Sequence, residues 1–217
     1  MKNLLVICTL MFSSMAFASD NIDTSAWLSS DYLYRGESLS GGEAAAGLDL
    51  RVSNIVFDGV FVSTSAAVWD LGDSDANRID AGVGYGSSLL DGRLGYSLSA
   101  HRVISSEWDS YSEFRASVFT DLSSQLRLFG GVEHLFEGRD SKDTFFLAGV
   151  RYTLSDSLWA SVSASALRSD ERDDIDFHNA SVSLGWQFLP GLSLEGKYSQ
   201  GGDRLDNEHS VTVRYSF

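Results

Sequence analysis

The chain of 217 residues has one cysteine, Cys8, and one proline, Pro190. Cys8 falls in the segment 1–18, which reads as a cleavable export signal. Lys2 gives it a basic start, an apolar run extends from Leu4 to Phe12, and Ala16-Phe17-Ala18 forms a small-x-small cleavage site. A mature chain starting at Ser19 would then hold no cysteine, which excludes a disulfide framework, a thiol nucleophile and a cysteine metal site. Bases are scarce as well. Sixteen Lys and Arg stand against thirty Asp and Glu, a net charge of −14, so the basic face that nucleic acid needs is missing and no nucleic-acid partner is expected. Long apolar runs are also absent. The run in the signal is too short to span as a helix, and no longer one follows. With 12% aromatics and 20 glycines, the chain is not disordered either.

What the sequence does have is alternation. In Val211-Thr212-Val213-Arg214-Tyr215-Ser216-Phe217 every second residue is apolar, so one face of an extended strand is greasy and the other wet. The stretch resembles the closing strand of an outer-membrane barrel, with Tyr215 and Phe217 as the expected assembly signal. Twelve candidate strands run over 24–35, 43–53, 56–69, 79–88, 93–103, 110–121, 125–137, 143–154, 158–168, 177–188, 192–200 and 209–217. Most are close to the ~9–11 residues that a tilted membrane strand requires. Between 177 and 188, Ala180, Val182, Leu184, Trp186 and Phe188 share one face, while Asn179, Ser181, Ser183, Gly185 and Gln187 share the other. The stretch 56–69 is ambiguous, because both its faces carry apolar or small residues. The expected fold is all-β: a single 12-stranded antiparallel transmembrane up-and-down β-barrel over 19–217.

Connections alternate between tight turns, as at Leu90-Asp91-Gly92, and longer acidic loops, as at 70–78 and 169–176. Short periplasmic turns and long outer loops follow this pattern in bacterial barrels. Outward aromatics then fall into two girdles at headgroup height. Tyr85, Tyr96, Tyr152, Trp186, Phe188, Tyr215 and Phe217 form the periplasmic one, and Tyr32, Tyr34, Phe136, Phe146 and Tyr198 the outer one. The run Asp170-Glu171-Arg172-Asp173-Asp174-Ile175-Asp176 lacks the frame and the glycine of a calcium loop. It reads as a solvated loop, and no cofactor is expected. The expected partners are outer-membrane lipid and lipopolysaccharide, the barrel-assembly machinery, and small solutes.

Inside the barrel the charge balance reverses. Inward positions place Arg35, Arg51, Arg93, Arg115, Arg127, Arg151, Lys197 and Arg214 against Asp31, Asp49, Asp58, Asp80, Glu113, Glu133 and Glu195. Arg51, Arg93, Arg127, Arg151 and Arg214 gather toward the periplasmic ends, and Asp31, Asp80, Glu113 and Glu133 toward the outer mouth. Such charges cannot face lipid, where a midplane arginine costs ~2–4 kcal/mol. They either pair across a filled lumen or line a wet one. Inward glycines and serines such as Gly82, Gly84, Ser97 and Ser161 leave space for water. Of the histidines, His101 points inward and the other three lie near the outer strand ends, where a histidine reads as solvated rather than as the base of a hydrolase.

The segment Ser30-Asp31-Tyr32-Leu33-Tyr34-Arg35-Gly36-Glu37-Ser38-Leu39-Ser40 resembles the opening motif of the TorF-like putative porin family of Gram-negative bacteria. Signal, length and strand pattern are similar over the whole chain, although Glu37 and Leu39 depart from the motif. The resemblance implies an outer-membrane barrel with a porin role. On physical grounds the motif is expected at the rim of the first strand, with Tyr32 and Tyr34 facing headgroups and Asp31 and Arg35 facing inward. The sequence thus points to a porin-like channel for small solutes or ions and not to an enzyme. The alternative is a closed, filled barrel with a structural or surface-binding role.

Overall fold

The computed structural model describes residues 21–70, 75–138, 142–169, 175–202 and 205–217. The segment 1–18 and most of the acidic run 170–176 lie outside the described residues.

Fourteen β elements follow one another: β1 Ile22–Ser29, β2 Leu33–Tyr34, β3 Glu37–Ser38, β4 Ala45–Ser53, β5 Val60–Asp70, β6 Asp75–Leu89, β7 Leu94–Ser105, β8 Tyr111–Asp121, β9 Leu126–Glu137, β10 Thr144–Ser155, β11 Leu158–Arg168, β12 Ile175–Leu189, β13 Leu192–Gly201 and β14 Glu208–Ser216. Twelve of them close a barrel in which each strand pairs antiparallel with its neighbour in the chain, and β2 and β3 form a separate hairpin inside the β1–β4 connection. The seam joins β14 to β1 over five register pairs, from Ser25↔Ser216 to Ser29↔Thr212. The Phe217 amide extends it by donating to the Thr24 carbonyl at 3.0 Å. Closure leaves no free edge, as an extended chain in hydrocarbon requires.

The alternation sets the two faces. Leu28, Leu50, Val62, Ile79, Val83, Leu98, Phe114, Val118, Leu128, Val162, Val182, Leu184 and Val211 stand exposed on the outside of successive strands. An apolar coat of this kind all round the wall is costly in water and is what a bilayer solvates. Tyr85, Tyr152, Trp186, Phe188 and Tyr215 are exposed toward the end with the tight turns, and Phe136 and Tyr198 toward the end with the longer loops. Tyr32 and Tyr34 do not join the second girdle. The first strand ends at Ser29, not at 35, and the chain then folds into the barrel.

The ambiguous stretch resolves the same way. β5 begins at Val60, not at 56, and Phe61, Ser63, Ser65, Ala67 and Trp69 face inward. A six-residue turn precedes it, closed by the Gly59 amide on Asn54 Oδ1 at 2.9 Å. Asp58 lies exposed in that turn rather than in the lumen. Gly59 takes φ +89°, open to glycine at no steric cost.

Candidate functional site

The lumen has two unlike halves. At the loop end the inward side chains are buried: Trp27, Trp69, Ala76, Arg78, Asp80, Val103, Tyr111, Glu113, Leu135, Phe145, Asn179 and Ser199. At the turn end Arg51, Asp121, Arg151, Trp159, Glu195 and Arg214 are partly open and Arg127 is exposed. They line cavities of about 840 Å³ at the mouth and about 630 Å³ at mid-height.

Residues 30–44 fill the loop end. Two bonds tie the segment into a compact turn: Ser38 Oγ donates to Asp31 Oδ1 at 2.6 Å, and Ser40 Oγ to the same oxygen at 2.7 Å. One flank is apolar. Tyr32 stacks on Trp27 with centroids 5.4 Å apart and leans on Trp69 at 5.3 Å, and Leu39 packs on the same cluster. The other flank is ionic and reaches across the lumen. Arg35 donates from Nη2 to Glu113 Oε2 at 2.7 Å and from Nε to Glu133 Oε2 at 2.7 Å. Its carbonyl accepts from the Asn179 amide, and Gly36 sits so close that a Cβ there would overlap that side chain. The Tyr34 hydroxyl points at Glu113 Oε1, and Arg78 lies over the Tyr34 ring, 3.7 Å from its centroid. Burial pushes the phenols of Tyr32 and Tyr34 above their ordinary value, which keeps both neutral.

The ionic flank continues along the wall. Arg115 bridges Glu113 and Asp80, Asp80 accepts from His101 Nδ1 at 2.6 Å, and Arg78 Nη2 stands 3.9 Å from Asp80. Asp80, Glu113 and Glu133 thus meet Arg35, Arg78 and Arg115, and this network is electrically balanced, while buried Asp31 is held by the Ser38 and Ser40 hydroxyls.

The turn half is not balanced in this way, and it is built from a repeated arrangement. The Arg51 guanidinium lies 3.5 Å from the Phe61 ring centroid, Arg127 lies 4.2 Å from that of Phe119, and Arg151 lies 3.8 Å from that of Trp159. Each ring covers a glycine on the next strand, where a Cβ would overlap it: Gly84 under Phe61, Gly95 under Phe119 and Gly185 under Trp159. Glycine, ring and guanidinium form a flat sandwich across three adjacent strands, and the three sandwiches cover β4 through β12. These three inward glycines are therefore seats for rings rather than empty space. A guanidinium on a ring face gains cation–π attraction while its N–H edge stays free.

Each sequence-chosen side chain has a definite place. Asp31 and Arg35 belong to the inserted segment rather than to a strand. Asp80, Glu113, Arg115 and Glu133 form the balanced network around it. Asp49 on β4 accepts from Ser65 Oγ at 2.8 Å and from Arg214 Nη1 at 2.5 Å. Arg127 pairs with Asp121 through two bonds of 2.6 and 2.9 Å. Arg51 and Arg151 rest on rings with no ion pair among the described residues. Arg93 is exposed in the β6–β7 turn and edges the large cavity, with Glu195 on β13 on the far side. Lys197, also on β13, lines a small cavity of about 210 Å³ beside Asp31 and Tyr32.

Sequence reading missed Arg78, Asn179, Asp121 and the three rings. Arg78 stands two residues before Asp80, so extending the alternation backward would have turned it inward. Phe119 shares a period-2 face with Glu113 and Arg115 and was open to the same argument. The grip of Asn179 on Arg35 spans 144 residues and has no local signal.

His101 also accepts or donates at Nε2 with Ser99 Oγ, 2.9 Å away. Asp80, His101 and Ser99 thus have the connectivity of a nucleophile triad, with the acid on the neighbouring strand rather than two residues away. Chemistry would need donors aimed at an oxyanion. Around Ser99 the backbone amides belong to the β6–β7–β8 ladder, and Arg115 is engaged by two carboxylates. The arrangement is part of the polar wall.

No protein-family model and no curated protein matches this sequence. Solved structures do match. The chain is similar to the KdgM porin, at 11% identity and a TM-score of 0.66 over 91% of this chain and 99% of that one. It is also similar to the KdgM porin in complex with disordered oligogalacturonate, at 13% identity and 0.66 over 91% and 99%, and to the NanC porin, at 13% and 0.59 over 90% and 98%. At such identities the likeness is one of fold, and this chain has the closed twelve-stranded barrel of those porins.

Proposed function

We propose that this protein is an outer-membrane channel for passive diffusion of small solutes, with a preference for anions set in the turn half of its lumen. The carrying observation is the set of glycine–ring–guanidinium sandwiches. Arg51, Arg93, Arg127, Arg151 and Arg214 face the lumen or its rim there, with Asp23, Asp49, Asp121, Asp156 and Glu195; Arg127 is paired with Asp121 and Arg214 with Asp49, whereas Arg51 and Arg151 rest on rings with no ion pair among the described residues. In a narrow lumen with low-dielectric walls the charge of such ring-held guanidiniums is weakly screened and sets ion preference. The apolar coat supports residence in a bilayer, and the similar folds support the outer membrane of a Gram-negative cell. The turns then face the periplasm and the loops face outward, toward lipopolysaccharide. Segment 1–18 is removed on export, and Tyr215 and Phe217 serve the assembly machinery. The motif at 30–40, whose residues build the inserted segment, supports membership of the TorF-like putative porin family. We read the chain as a non-enzyme. The filled loop end favours one rival, a closed barrel with a structural or surface-binding role.

Bilayer recording of the refolded protein tests the proposal. Ion conductance with a reversal potential toward anions in a salt gradient is expected. Changing Arg127 and Arg151 together to Glu should move that potential toward cations. Absence of conductance in repeated insertions would leave the closed scaffold. An unchanged potential would refute the arginine assignment.

A further inference from the structure

We propose that residues 30–44 are a movable stopper, hinged on the aromatic cluster and latched by Arg35, whose release opens the loop end of the lumen. The inference rests on the channel reading and adds a gate to it. The lumen is a well, wet from the turn end to mid-height and filled above. What fills it is one segment of chain with two different flanks.

The hinge flank is apolar and local. Tyr32 and Leu39 pack on the cluster of Trp27 on β1, Ala45 on β4 and Ala67 and Trp69 on β5, on and next to the strands that bracket the segment. The Leu39 amide donates to the Tyr32 carbonyl at 2.9 Å, which closes the hairpin base. Gly41 and Gly42, on the return to β4, take φ +63° and +84° with nothing within 4 Å of an added Cβ. The base can turn there without collision.

The latch flank is polar and distant. Its hydrogen bonds go to Glu113 on β8, Glu133 on β9 and Asn179 on β12, and its cation–π contacts join Arg35 to Phe145 on β10 and Tyr34 to Arg78 on β6. Apolar contact at the tip would hold it in any aqueous state, whereas ion pairs and hydrogen bonds can be exchanged for water. Arg35 itself takes a left-handed φ of +55°, which an arginine rarely adopts unless its surroundings hold it there. The wall is shaped at the same points. Of the barrel's register breaks, the two at the loop end fall at Ser112/Glu113 and at Ser165/Ala166, the latter opposite Asn179. Bulges re-aim side chains, and here they flank two of the residues that grip the tip.

Two variants read the gate, both in refolded protein whose heat-modifiable gel migration shows a closed barrel. With Cys8 in the signal, the mature chain offers no competing thiol. Gly36→Cys with Asn179→Cys places a Cβ at Gly36 within 2.5 Å of the Asn179 Cγ position, within reach of one disulfide. Conductance should be low in the oxidised form and rise on reduction. Arg35→Ala should raise the ratio of open to closed time by roughly tenfold to a hundredfold, the weight of its charged hydrogen bonds. Replacing 32–39 by a short glycine–serine linker should give a steadily open pore. Equal conductance of the oxidised and reduced double-cysteine protein, with no free thiol in the former, would overturn the stopper and leave the channel standing. A linker variant that conducts no better than the native chain would also overturn it. A linker variant with no conductance at all would instead sink the channel reading on which the gate rests.

Discussion

Replacing Gly185 by alanine should destabilise the barrel by about 2–3 kcal/mol, although it adds only a methyl group. The methyl carbon would lie 2.5 Å from Trp159 Nε1 and nearer still to two ring carbons, so the indole must leave its seat. A tryptophan buries ~150–250 Å². Lifting one face off the wall re-exposes about half of that, worth roughly 2 kcal/mol at ~25 cal/mol per Å². Arg151, which rests on the other face 3.8 Å from the centroid, loses a further ~0.5–1 kcal/mol of cation–π attraction. Gly196 is the control. It sits on the adjacent strand, opposite Leu184, and a Cβ there meets nothing within 4 Å. Gly196→Ala should therefore stay within about 0.5 kcal/mol of the parent. Urea unfolding in lipid vesicles, followed by gel migration of the folded and unfolded bands, measures both. Equal midpoints for the two variants would refute the sandwich as a structural unit.

Other outcomes are equally definite. Cysteine placed at Gly42, exposed in the β1–β4 connection, should react with a membrane-impermeant maleimide on intact cells, and cysteine at Asp91 in the β6–β7 turn should not; the reverse would invert the topology. Deleting Phe217, which donates to Thr24 and packs edge-on against Tyr215 at 4.7 Å, should lower outer-membrane yield and abolish heat-modifiable migration, and normal insertion would show the seam closes without it. Glu113→Gln should cost ~3–5 kcal/mol, because a fully buried carboxylate held by Arg35 and Arg115 is replaced by an amide that leaves their charge unmatched; a change below ~1 kcal/mol in the same unfolding assay would mean that water reaches the site.

The barrel was legible in the sequence because a strand has period 2. Twelve runs of alternation gave twelve strands, and Arg51, Asp80, Glu113, Arg127 and Arg151 were assigned to the lumen by parity alone. Strand ends were less visible. Alternation continues through Tyr32 and Tyr34, so the pattern could not mark where the chain leaves the wall at Ser29 and turns inside. Parity also gives a face without a neighbour. It placed Arg151 inward but could not show that it lies against Trp159, because that depends on register between strands. The loop end of the lumen is filled and paired, and the turn end is lined by partly open charged side chains. The division is made by contacts such as Arg35 to Glu133, across 98 residues, which no local pattern encodes.

The inserted segment has a kinetic consequence. Each barrel strand pairs with its neighbour in sequence except at the β14–β1 seam, so most of the wall assembles from local hairpins, which form fast. The segment between β1 and β4 emerges early, yet its partners on β8, β9 and β12 follow 78, 98 and 144 residues later. It has nowhere to dock until the wall exists. Refolding into vesicles should therefore pass through a closed but unplugged barrel, leaky to small ions, before the tip seats. A dye-release trace that rises with the folded gel band and later slows would record that order. A wall that forms without a leaky interval would show that the tip travels with the strands as they close.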